Sequence, residues 1–199
     1  MALKTLDSAD KSKLHAEVNQ YLNQRFTVAM TAIALFGVGI GLMVNGLSSP
    51  LAANPNPTVR VLTLLIAVTL LIVLGVLFVF SQVLLGCIHV ITAYLCVSDA
   101  SGWEQDYKKF FARKHKPKFS NQADSQALLF GVLGAITGIA PLICSRFFAS
   151  DGDLSVLWIV LAVITFTYLL VVCLTWLGSC LDFGRNAEEI WQGIKDAKD

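Results

Sequence analysis

Gln82, His89 and Cys96 stand seven residues apart inside a stretch, Val61–Ser98, that holds no charge and no proline. On a helix, a spacing of seven puts all three on one face. An amide, an imidazole and a thiol on one face could line a small polar cavity or begin a metal site. The metal reading falls short, because a zinc site takes about four ligands and no Cys, Asp or Glu stands three or four residues after His89. Hydrogen bonding inside a packed helical layer is the expectation for Gln82 and His89. The five cysteines, Cys87, Cys96, Cys144, Cys173 and Cys180, lie in or beside apolar runs without a CxxC pair. They read as buried free thiols packed as small hydrophobes.

Catalysis finds little footing. No nucleophile–base pair, phosphate-binding glycine loop or intramembrane carboxylate pair is present. Ionisable residues inside apolar segments usually mark transport or chemistry, because they are costly there. The first two-thirds of each apolar block carries none. The expectation is a protein that is not an enzyme and uses no cofactor.

Two other residue sets suggest binding instead. Gly37 and Gly41 form one GxxxG, and Gly134 and Gly138 form another with Gly131 about a turn earlier. Such faces let helix backbones approach closely where lipid supplies no hydrophobic drive. They are expected to pack spans one and three together or to join copies into a homo-oligomer. The second set lies in "GWEQDYKKFFARKHKPKF", where Trp103, Tyr107, Phe110 and Phe111 fall on one helical face beside Lys108, Lys109 and Arg113. An aromatic face with a basic rim suits an anionic leaflet, each basic residue adding about 1 kcal/mol. Anionic lipid head groups, or a cytoplasmic or membrane protein, are the expected partners, and nucleic acid is disfavoured. Trp191 joins this set through "NAEEIWQGIKD", an amphipathic stretch with Ile190 and Ile194.

The elements that must position these residues are helices in a membrane. The 199-residue chain is 55% hydrophobic and 15% charged, against about 25% charged in soluble domains. Four apolar blocks, 26–47, 61–98, 127–145 and 154–181, are each long enough to span. Block 61–98 would be about 57 Å long as one helix, against a hydrocarbon core of about 30 Å. It offers no Pro, Asn or Asp for a reversal, so it reads as one span with a continuation.

Orientation follows from Lys and Arg. The two tails and the central loop hold thirteen, whereas the two short loops hold only Arg60 and Arg146. The positive-inside rule puts both termini and the central loop in the cytoplasm. "FGVGIG" against "FGVLGAITG", and "LLGC" against "WLGSC", also hint at one helical hairpin used twice.

The surplus length then falls on the cytoplasmic side. Leu84, Ile88, Ile91 and Leu95 make one apolar stripe there. Leu14, Val18, Tyr21 and Leu22 make another, with Lys11, His15 and Asn19 displaced from it. The expected fold class is all-α: a polytopic membrane protein with four transmembrane helices extended into a cytoplasmic layer. Its expected spans are 26–47, 61–80, 127–145 and 154–174, in one domain covering 1–199. Cytoplasmic helical segments are expected at 10–25, 81–98, 102–114 and 183–196. The expected setting is the cell membrane. The expected function is a non-catalytic subunit that anchors or docks a partner, the alternative being a homo-oligomeric channel built through the glycine faces.

Overall fold

The computed structural model describes residues 7–48, 57–98, 122–148, 155–180 and 189–194. Apart from Asp7, all of these are helical, and among the described residues there is no strand. The elements are α1 (Ser8–Ser48), α2 (Pro57–Ser98), α3 (Gln122–Phe148) and α4 (Ser155–Cys180), with a further helical stretch at 189–194.

α1 starts where Asp7 accepts a hydrogen bond from the Ser8 N–H at 2.6 Å through Oδ1. The Asp7 carbonyl also accepts from the Lys11 N–H at 3.0 Å, the first turn of the helix. From there 41 residues run without proline. α2 opens on Pro57, whose missing N–H would have no helical partner anyway. It continues unbroken for 42 residues, many of them β-branched. Such residues are mediocre helix formers in water, but in hydrocarbon the helix is the local way to satisfy every backbone group. The structure therefore forms a single helix over Val61–Ser98, as the lack of turn residues implied. α3 passes through Pro141, which cannot donate to the Thr137 carbonyl one turn back, and still reaches Phe148.

Among the described residues, three stretches are long and apolar enough to cross a membrane: Ser8–Val44, Val61–Ser98 and Trp158–Leu177. A shorter apolar helical stretch covers Ser125–Pro141.

The described residues divide into two compact units. One draws on 7–27, 81–98, 122–125, 176–180 and 189–194, and the other on 28–48, 57–80, 126–148 and 155–175. In the second unit each helix buries one stripe. On α2 this is Leu64, Ala67, Leu70, Leu71, Leu74 and Phe78, on α3 Ala127, Phe130, Leu133 and Thr137, and on α4 Leu161, Thr165, Tyr168 and Val172. The remaining faces expose Ile72, Val76, Val163 and Phe166. Apolar residues both inside and outside a helix bundle are what a lipid solvent permits and water does not.

The first unit buries Leu84, Leu85, Ile88 and Leu95 of α2, with Ile91 half-buried. On α1, Leu14, Val18, Tyr21 and Leu22 are half-buried while His15 and Asn19 are exposed. Lys11 departs from expectation: it too is half-buried, one turn before Leu14 and in phase with it.

Candidate functional site

Arg25 is the polar residue that stands out. It continues the α1 stripe into Val28 and Ala32 at helical spacing, so its side chain enters the packed side and is 2% exposed. Its Nε donates to Ser81 Oγ on α2 at 3.4 Å, and Ser81 itself is fully buried. His89, two turns along α2, lies within reach of the Arg25 charge. Gln82 and His89 are both half-buried. Of the two residues expected to share a polar face, His89 falls within the influence of the arginine, and both belong to the first unit.

Sequence reasoning counted Arg25 only as a topology-setting charge. The signal that could have found it is its phase: a lone cation at the position where an apolar row should continue. Among the described residues no three His, Cys, Asp or Glu come together to hold a metal ion. What the cluster offers chemically is a sequestered guanidinium, a fixed donor array suited to holding α1 and α2 in one register.

The glycines separate by partner. A Cβ at Gly134 would overlap the Tyr168 ring, and one at Gly138 would overlap the Thr165 side chain. A Cβ at Gly131 would sit 3.7 Å from Val172. These three therefore pack α3 against α4, whereas span one was the expected neighbour. On its other edge a Cβ added at Gly75 of α2 would come 3.7 Å from the Tyr168 ring, and the Tyr168 hydroxyl donates to the Phe130 carbonyl at 2.8 Å. Phe78 of α2 meets the Phe130 ring with centroids 5.5 Å apart. On α1 the packed glycine is Gly39, where a Cβ would come 2.6 Å from Leu70. Among the described residues, nothing lies within 4 Å of a Cβ at Gly37 or Gly41.

Buried hydroxyls fold back on their own helices. Thr137 donates to the Leu133 carbonyl at 2.8 Å and Thr165 to that of Leu161 at 2.7 Å. Trp191 was grouped with membrane-surface or partner residues; it is half-buried and stacks at a tilt on Tyr94, centroids 4.8 Å apart. Ile190, its neighbour in the same amphipathic stretch, is 62% exposed. Cys87 and Cys96 are half-buried, but Cys173 is exposed, contrary to the expectation for buried thiols. Trp103, Tyr107, Lys108, Lys109, Phe110, Phe111 and Arg113 lie outside the described residues.

Fold and site together define a class, an all-α multi-pass membrane protein with a buried polar cluster on two of its long helices. Comparison with protein-family models, with curated proteins and with solved structures finds no match to this chain.

Proposed function

We infer that this chain is a non-catalytic membrane subunit of four spans whose cytoplasmic helices dock a partner. One observation carries the reading: α1 and α2 are unbroken helices of 41 and 42 residues, about 60 Å each against a core of about 30 Å. Their surplus stretches, up to Thr27 and from Ser81, belong to a compact unit of their own. The Lys/Arg bias assigns that unit to the cytoplasm, with both termini. Nothing in a lipid-facing role requires such a unit, whereas a docking platform does. The basic, aromatic central loop adds a surface suited to an acidic partner or to anionic head groups.

The channel reading keeps one observation, the open Gly37–Gly41 face. A closed ring needs two different faces on each copy, and the glycine face on α3 is filled by Tyr168 and Thr165.

Charge reversal at Lys108, Lys109 and Arg113 tests the docking reading. The variant is expected to insert normally and to lose a specific crosslink to one other protein in the native membrane. A closed homo-oligomer that crosslinks to nothing else would overturn it.

A further inference from the structure

The exposed side of α2 stays apolar where its neighbour turns polar. Up to Phe80 it carries Ile72, Val76 and Val79, as a lipid-facing helix should. From Ser81 onward α2 shares a compact unit with the first part of α1, and the two meet at the Arg25–Ser81 hydrogen bond. In that unit α1 turns Lys13, His15, Asn19, Gln20 and Asn23 outward, a surface for water. The residues that α2 exposes there are Val83, at 58%, and Val90, at 45%. Gly86 lies between them, and among the described residues nothing stands within 4 Å of a Cβ at that position. Val97, half-buried, continues the row at the same spacing of seven. At its edge the Trp191 ring already stacks on Tyr94. A helix whose neighbour faces water needs a cover over such a row.

We propose that this valine row is the seat of the chain's own segment 102–114, folded back along α2 with its aromatic side inward. The length of chain between α2 and α3 decides the occupant. The chain leaves α2 at Ser98 and enters α3 at Gln122. With the second span ending at Phe80, the rest of α2, residues 81–98, carries Ser98 about 27 Å beyond it at ~1.5 Å per residue. A helix tilted by about 40° still leaves about 21 Å. Trp103 follows five residues after Ser98, and five residues reach at most about 18 Å. Trp103 therefore cannot lie at the membrane surface, and the aromatic side that begins with it needs another apolar surface. The third span starts at 127, so the chain must also come back over that distance, of which a helix over 102–114 covers about 20 Å. Asp99, Ser101 and Gly102 supply turn chemistry for the reversal. An antiparallel return sets Trp103 beside Val97, Tyr107 beside Val90, and Phe110 and Phe111 over Gly86, where the missing side chain leaves room for a ring. Lys108, Lys109 and Arg113 fall off the packed side, toward an acidic partner. A foreign helix or a second copy would have to displace a segment held by a short tether, at an effective concentration of about a millimolar. The inference rests on the four-span part of the proposed function, from which the end of the second span is taken.

The test places the photo-crosslinking residue p-benzoylphenylalanine at Tyr107 of the full chain in its native membrane. The main product is expected at the mass of one chain, joined within 83–97 of α2. A main product with lipid, with a second copy or with another protein would overturn the proposal. Adding Val90→Asp is expected to cut the intrachain product at least tenfold, whereas Asn19→Asp, at an exposed position of α1 in the same unit, leaves it unchanged. An equal yield from the two variants would also overturn it. Unchanged helical content checks that Val90→Asp folds; should it not, Gly86→Leu makes the same test by filling the space under the rings. Charge reversal at Lys108, Lys109 and Arg113 that spares partner crosslinking while the intrachain product persists would count against the docking reading alone. Failure of the four-span reading shows separately, as labelling of Lys13→Cys and Lys109→Cys from opposite sides of the membrane.

Discussion

A guanidinium that is 2% exposed must find acceptors, because an ion taken from water without them carries a penalty of several kcal/mol. Ser81 supplies one such acceptor to Arg25. Removing the acceptor and keeping the charge is therefore the harsher change. Ser81→Ala is expected to lower stability by about 1–3 kcal/mol. Arg25→Met, which deletes the charge and keeps much of the stem, is expected to cost less. Thermal melts of the two single variants and the double variant in detergent measure the coupling. A value near zero would mean that the hydrogen bond contributes nothing. Thr137 and Thr165 need no such partner, since each donates to its own helix four residues back.

Helix packing turns on which glycines have neighbours. Tyr168 lies between Gly75 and Gly134 with its hydroxyl on the Phe130 carbonyl, so three helices meet at one ring. The ring is rigid and its hydroxyl is tied to the Phe130 carbonyl, so it cannot swing freely away from a methyl group at Gly134. Gly134→Ala is accordingly expected to destabilise by about 1–3 kcal/mol, the usual result of overpacking. Gly37→Ala meets open space and gains helix propensity, so its Tm should be unchanged or slightly raised. Measuring both in one detergent controls for the substitution itself. Equal losses would mean that the Tyr168 contact does not decide α3–α4 packing. The overlap at Gly39 is of another kind, since the group it meets is the flexible end of Leu70.

For the whole molecule, orientation sets everything that touches the cytoplasm. The thirteen-to-two bias of Lys and Arg predicts that Lys109 faces inward. In intact cells, Lys109→Cys is expected to resist a membrane-impermeant maleimide and to react once the cells are opened. Labelling of intact cells at that position would reverse the orientation and move the proposed docking unit to the outside.

Helix type and length were legible in the residues because hydrocarbon leaves the backbone little choice. A proline-free apolar run such as Val61–Ser98 must be helical, and its length follows from its residue count. The stripes Leu84–Ile88–Leu95 and Leu14–Val18 were legible for the related reason that burial repeats with the helical period. The choice of neighbour was not. Gly37 and Gly134 carry the same GxxxG pattern, yet one faces open space and the other a tyrosine ring. Arg25 and Lys13 both sit among the basic residues of the N-terminal tail, yet one is buried against Ser81 and the other is exposed. Which side of a helix meets which partner depends on distances between segments far apart in the chain. Residue types and local spacing determined the helices, and only the tertiary structure decided which of their faces are spent within the chain.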